Sequence, residues 1–264
     1  MPEGDTVWRT ANTLRDALDG KVLTVCDVRV PRYATVDFSG HRVQAVHSVG
    51  KHLAIEVAHH VIHSHLKMEG AWHVYRPGTR WRRPAYQARI VLATDDRVAV
   101  GFELGVVEIL DTLDEAVGYL GPDLLGPSWD AALAVANLAA DPGRPIGLAL
   151  LDQRNLAGLG NVYRNEICFV RGVDPRTPVR EVDLAPMVDL SYRSIVANKD
   201  RNARTFTGDL RAGRHFWVYG REGKPCRRCG TAVQFGLLGD DPTEERQIYW
   251  CPRCQPPVGV TAAQ

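Results

Sequence analysis

The chain has 264 residues, 45% of them hydrophobic and 24% charged, with a formal net charge of +1. That size and mix give two soluble globular domains, each with its own core. No apolar run approaches the ~20 residues of a membrane span, and the N-terminus lacks the basic-then-apolar order of a signal peptide, so an intracellular protein is expected. A cytoplasmic protein is expected, with its six cysteines reduced or metal-bound rather than paired in disulfides.

Residues 6–18 carry Val7, Thr10, Ala11, Leu14, Ala17 and Leu18 at helical spacing, and Gly20 stops the helix. From residue 21 to about 110 the pattern changes to short apolar alternations at 22–25, His52–Val57, 88–92 and 97–100. Turn residues such as Gly40 and Asp95-Asp96 separate them, which predicts an antiparallel sandwich or barrel. Gly121-Pro122 and Gly126-Pro127 punctuate the chain and set the domain boundary. Beyond it, 129–140 and 146–153 read as helices. A glycine-bearing turn follows at Leu156-Ala157-Gly158-Leu159-Gly160-Asn161, then helices at 162–169 and 187–199. Residues 216–255 are basic and cysteine-bearing, and an unstructured tail is expected from Pro256. No internal repeat or low-complexity tract is present.

Charge is unevenly spread. Residues 1–130 carry 14 basic against 17 acidic side chains, whereas Arg201 to Gly230 holds eight basic residues opposed only by Asp209 and Glu222. Such a stretch attracts a polyanion even in a neutral protein, although many charge runs are simply solvated surface.

Four constellations carry chemistry. Cys226-x2-Cys229 and Cys251-x2-Cys254 supply two thiolate knuckles, a tetrahedral sulfur set that suits one structural zinc ion, with room between them for a β-hairpin. Cys26 and Cys168 fall outside the motif and read as core thiols. The Gly158-Leu159-Gly160-Asn161 turn opens a helix, where N–H groups without an intrahelical partner and the Asn161 amide can hold a phosphate; a plain connecting turn is the blander reading. The start, Met1-Pro2-Glu3, invites removal of Met1. Pro2 would then be a secondary amine, unprotonated in appreciable fraction at neutral pH and able to attack a sugar C1′ to form an iminium. Glu3 beside it suits general acid–base work. Lys51 stands out among only five lysines, placed after Gly50 so that its ammonium can turn into a cleft. His63 and His65 share one strand face, but no further ligand completes a metal set, so packing or phosphate contact is the expectation.

The order and spacing of these motifs resemble the Fpg/Nei family, which comprises formamidopyrimidine-DNA glycosylase and endonuclease VIII. The resemblance rests on Pro2-Glu3-Gly4, Gly50-Lys51, His65-Leu66-Lys67-Met68-Glu69-Gly70, Leu151-Asp152-Gln153 with the 156–161 turn, and Tyr249-Trp250-Cys251-Pro252-Arg253-Cys254-Gln255. It runs to Gln255 and is closest to the endonuclease VIII branch. It implies an α+β protein: an N-terminal antiparallel β-sandwich with a leading helix (1–125), a helical domain with a helix–two-turn–helix motif (126–215), a zinc-finger hairpin (216–255) and a tail (256–264). It further implies a bifunctional DNA glycosylase and abasic-site lyase, a monomer associated with the nucleoid, that flips an oxidised base, mainly a pyrimidine, out of damaged duplex DNA. Pro2 would be the Schiff-base nucleophile and Glu3 the proton donor. Lys51 would assist β-elimination, Arg246 would grip phosphate and assist δ-elimination, and Asn161 would hold the same phosphate region.

The sequence departs from the family pattern where the gap left by a flipped base is filled. Met68 matches one filler. The formamidopyrimidine branch adds an Arg-x-Phe loop where this chain has Phe102-Glu103-Leu104-Gly105, and endonuclease VIII uses Gln-Leu-Tyr where this chain has Lys67-Met68-Glu69. A weak preference for duplex over single-stranded or bubble DNA is therefore expected. The rival readings are oxidised-purine excision by the same chemistry and a catalytically dead damaged-DNA-binding protein.

Overall fold

The structure, a computed structural model, describes residues 2–257; Met1 and most of the expected tail lie outside the described residues. The chain divides into two compact units between Tyr119 and Leu120, beside the Gly121-Pro122 punctuation.

In the first unit, helix α1 (Gly4–Leu18) buries Val7, Ala11, Leu14 and Leu18, one face of a 3.6-residue period. Eight strands follow: β1 (Val25–Val28), β2 (Val43–Val49), β3 (His52–Val57), β4 (His60–His65), β5 (Ala71–Tyr75), β6 (Ala88–Ala93), β7 (Val98–Phe102) and β8 (Val106–Leu110). They form two antiparallel four-stranded sheets, ordered β1-β6-β7-β5 and β2-β3-β4-β8. Leu53, Ile55 and Ile62 of one sheet and Ile90 and Leu92 of the other join Leu14 and Leu18 of α1 in one core. This is the expected β-sandwich with its leading helix. A short helix, α2 (Asp114–Val117), ends the unit.

The first strand lies later than the alternation at 22–25 predicts. Leu23 and Lys21 are tied to the segment around His41 and Val43 instead (Leu23 N to His41 O 2.9 Å, Val43 N to Lys21 O 2.9 Å), and sheet pairing starts at Val25.

The second unit contains α3 (Ala131–Ala139), α4 (Ile146–Ala149), α5 (Asn161–Arg171) and α6 (Leu184–Asn198), followed by the hairpin β9 (Gln234–Leu238) and β10 (Arg246–Trp250). The helix expected over 146–153 stops at Ala149. The Asn155 side chain donates to the Ala149 carbonyl (2.9 Å) and Gln153 donates to the Leu151 carbonyl (2.6 Å), drawing the chain into turns. Helix α5 is central: every residue from Asn161 to Phe169 is buried.

Candidate active site and nucleic-acid interface

Pro2 is half-buried, and Glu3, which precedes the first turn of α1, has no exposed surface. The Glu3 carbonyl accepts from the N–H groups of Thr6 (2.9 Å) and Val7 (3.1 Å), so the positive end of the helix dipole faces the N-terminal pair.

Lys51 sits in the two-residue loop of the β2–β3 hairpin, closed by the Val49–His52 pair, where Gly50 supplies the positive φ (+56°) that such a loop favours at its first position. Next to it lies a polar line that the sequence reading did not foresee. Glu108 Oε2 is 3.0 Å from His63 Nδ1, His63 Nε2 is 2.9 Å from His52 Nδ1, and His52 Nε2 is 3.2 Å from the Tyr119 hydroxyl. A carboxylate can only accept, so a neutral His63 donates from Nδ1 and accepts at Nε2; His52 then donates from Nδ1 and accepts from Tyr119. Burial, with His63, Lys67 and Lys51 nearby, pushes the His52 imidazole down to about 4. Burial and the same cationic surroundings push His65, whose ring meets His52 edge-on at 5.2 Å, down to about 3. Both rings are neutral at physiological pH.

The β4–β5 connection carries Lys67, with φ +53°, and Met68, 59% exposed. Gly70 closes it: a Cβ there would lie 2.4 Å from the Leu66 carbonyl oxygen. The β7–β8 connection turns through Glu103 and the buried Leu104, so that turn exposes no large apolar side chain.

In the second unit, Gln153 organises the glycine turn, donating to the Leu159 carbonyl (3.0 Å) and accepting from Gly158 N–H (3.0 Å). Asn161 opens α5 but is 5% exposed. Its amide donates to the Gln247 carbonyl (3.0 Å), and its oxygen accepts from Arg164. Arg164 (3.1 Å) and Asn165 (3.3 Å) donate to the same carbonyl, and Asn165 accepts from Tyr249 N–H (2.6 Å). Helix α5 is thereby stitched to β10, whose first residue, Arg246, is exposed. Glu166, fully buried, accepts the N–H groups of Trp217, Val218 and Tyr219 at 2.8–2.9 Å. Burial raises its carboxyl to about 7 despite those three donors. Arg164, Asn165 and Glu166 were missed as site-building residues; consecutive polar residues inside an otherwise core-forming helix were the available signal.

The four cysteines of the two knuckles place their sulfurs within 4.8 Å of one another. Cys226 and Cys254 Sγ are 3.9 Å apart, and Cys229 and Cys251 Sγ 3.4 Å. Four sulfurs about 2.3 Å from a common zinc would stand ~3.8 Å apart, so the set fits one tetrahedral ion. Gln255 anchors the second knuckle, accepting from Cys251 N–H (3.0 Å) and donating to the Val173 carbonyl (2.8 Å). In the basic stretch Arg201, Arg211, Arg214, Lys224, Arg227 and Arg228 are exposed.

Two family models match the chain: the formamidopyrimidine-DNA glycosylase N-terminal domain over residues 1–103 and the formamidopyrimidine-DNA glycosylase H2TH domain over 120–197. A protein named probable endonuclease 8 2 from Streptomyces coelicolor is 54% identical across 97% of this chain and 94% of its own length. One named DNA-(apurinic or apyrimidinic site) lyase Nei2 from Mycolicibacterium smegmatis is 55% identical across 97% and 99%. The chain belongs to the Fpg/Nei family. Solved structures of Fpg/Nei members share the fold: a MutM complex with DNA containing carbocyclic 8-oxo-G superposes with TM-score 0.78 at 21% identity, covering 96% of this chain and 99% of that one. A complex of inhibited LlFpg with DNA gives 0.79 at 21%, covering 97% and 100%. The first family model spans Pro2, Glu3, Lys51, Lys67 and Met68 and the second spans Asn161, whereas Arg246 and the four cysteines lie beyond both.

Proposed function

We propose that this Fpg/Nei chain is a bifunctional DNA glycosylase and abasic-site lyase of base excision repair, acting mainly on oxidised pyrimidines in duplex DNA, with bubble and single-stranded DNA as further substrates. The observation that carries the reading is a carboxyl group with no exposed surface, Glu3, directly after the half-buried Pro2. That pair sets a carboxyl next to a residue whose amine, once freed, is secondary, the two groups that iminium formation needs, and over half of the chain is identical to proteins named endonuclease 8 and abasic-site lyase.

With Met1 removed, the Pro2 amine attacks C1′ of the damaged nucleotide. The C1′–N bond to the base breaks, Glu3 moves the proton that the departing base and opening sugar require, and an iminium joins Pro2 to C1′. The α1 dipole disfavours positive charge at its N-terminus and so favours the neutral, nucleophilic amine. Loss of a C2′ proton then expels the 3′ phosphate, assisted by Lys51, and a second elimination, assisted by Arg246, expels the 5′ phosphate. Lys67 and Met68 contact the DNA at the gap left by the flipped base, and Asn161 lies at the α5 start that receives a phosphate. One zinc ion held by Cys226, Cys229, Cys251 and Cys254 supplies the fixed crosslink of the hairpin that carries Arg246. Residues 1–125 form the catalytic domain, 126–215 the helix–two-turn–helix domain, 216–255 the finger and 256–264 the tail of a monomer in the cytoplasm and nucleoid. Oxidised-purine excision is less well supported, because the β7–β8 turn buries Leu104 where that branch projects an aromatic side chain.

The test is borohydride reduction with DNA containing an abasic site. A covalent protein–DNA adduct is expected from the protein with Pro2 exposed and none from a form with an uncleaved N-terminal extension. Equal adduct from both would remove Pro2 as nucleophile.

A further inference from the structure

Residues 70–94 contain five arginines, at 76, 80, 82, 83 and 89, and no acidic residue, although residues 1–119 as a whole hold slightly more acidic than basic side chains. Two acidic side chains of the neighbouring turns and strands are engaged locally: Glu103 pairs with Arg83 at 2.6 Å and Asp27 with Arg29 at 2.8 Å. Arg76, Arg80, Arg82 and Arg89 are exposed and make no ion pair among the described residues. Trp72, His73, Tyr75, Arg76, Arg80 and Arg82 line an open depression of about 520 Å³.

In the same segment, Tyr86 is 84% exposed, more than Met68 at 59% or Tyr119 at 55%. It sits on a single 3₁₀ turn, Ala85–Gln87, that is pinned on both sides. Arg29 donates to the Ala85 carbonyl (3.1 Å), and Glu103 N–H donates to the Gln87 carbonyl (2.9 Å). Arg83 donates to the Glu69 carbonyl (3.1 Å), which joins the segment to the Lys67-Met68-Glu69 turn. The turn is thus held at both ends with its aromatic ring exposed, four and six residues along the chain from the unpaired Arg82 and Arg80. Ring faces stack on bases whose own faces are uncovered, and guanidinium groups take the phosphates between them. Duplex DNA covers its base faces; an unpaired strand does not.

We propose that residues 76–89 form a further nucleic-acid contact in which Tyr86 stacks on an unpaired base while Arg80 and Arg82 hold the flanking phosphates. The inference rests on the reading of the chain as a DNA enzyme and names the strand form this surface selects. It also provides, from a different loop, an aromatic contact that the Lys67-Met68-Glu69 turn and the buried Leu104 do not.

The experiment uses the full chain and a lesion-free single-stranded oligonucleotide with a central 2-aminopurine, whose fluorescence falls on stacking. Tyr86→Ala should weaken single-strand binding about tenfold and abolish the quenching, whereas Tyr86→Phe keeps both. Duplex affinity should change less than about twofold in either variant. The Arg80→Ala/Arg82→Ala double variant should lower the slope of log affinity against log salt by about 0.7 per arginine removed. Single-strand binding that ignores Tyr86→Ala, or an equal loss on duplex, overturns the proposal, the second outcome meaning a plain duplex-backbone contact. Borohydride trapping on abasic DNA with the same preparations separates the two readings. Wild type that binds through Tyr86 but does not trap refutes the lyase reading alone, and wild type that traps with Tyr86-independent binding refutes this inference alone.

Discussion

Glu166 accepts three backbone N–H groups with two oxygens, and an amide in its place cannot repeat that. Glu166→Gln would turn an NH2 group toward a buried donor and leave at least one unmet hydrogen bond, costing about 1–3 kcal/mol. Thermal unfolding should show the loss, and an unchanged melting temperature would mean that residues 217–219 are held by other contacts. His52 gives a second test at this scale. Its folded value, about 4, lies below the ordinary 6.5, so between those values the unfolded chain binds more protons. Stability is therefore fully present above 6.5 and declines as pH falls from 6.5 toward 4. His52→Gln should flatten the fall in melting temperature measured across that range. Neither residue was legible in the sequence. The N-terminal pair, Lys51 and the cysteines stood out because chemistry limits which residue types can fill those places. Glu166 and His63 act through partners far away in the chain, Trp217–Tyr219 and Glu108, and the local pattern that marks them as polar does not say which partners they meet.

Strands flanked by turn chemistry were readable and those without it were not. The β3–β4 hairpin turns through Ala58 and His59, both at positive φ (51° and 66°), a backbone that Asn-Gly would have advertised. β2, β5 and β8 likewise carry weak alternation, because half-buried residues such as His47, His73 and Glu108 interrupt it. Helix α5 was readable because its apolar positions keep the helical period through its polar ones. The cysteine hairpin was readable from spacing alone, and its prediction belongs here. Few apolar residues support it, with Val233, Ile248 and Tyr249 its main buried side chains. A metal bound by the four cysteines would therefore hold much of its structure. One zinc per chain should be found by metal analysis. Chelation should change Trp250 fluorescence and weaken DNA binding at least tenfold while the circular dichroism of the β-sandwich persists. Full DNA affinity after complete metal removal would refute this.

At the scale of the molecule, a net charge near zero hides two arginine-rich surfaces, one at 76–89 and one at 201–228, plus Arg246. DNA affinity should fall steeply with salt, each phosphate contact on duplex adding roughly −0.9 to the logarithmic slope. A flat response would mean that neither surface meets DNA. Base flipping from duplex costs a few kcal/mol, and Met68 is the only apolar side chain that the β4–β5 and β7–β8 turns expose to offset it. Excision of one oxidised pyrimidine should therefore proceed on bubble and single-stranded DNA at rates within about tenfold of duplex. Met68→Ala should depress the duplex rate most. Activity confined to duplex would point to a filler elsewhere in the chain.

The seam between α5 and β10 is built one-sidedly: Asn161, Arg164 and Asn165 all bond to the main-chain oxygen of Gln247, not to its side chain. Every amino acid carries that oxygen, so position 247 is at liberty to drift through evolution while its three partners are not. A library randomised at 247 should retain folded protein with almost any residue except proline, whereas one randomised at 164 should collapse to arginine. Variation counted column by column would rank 247 as unimportant, although the seam hangs from it.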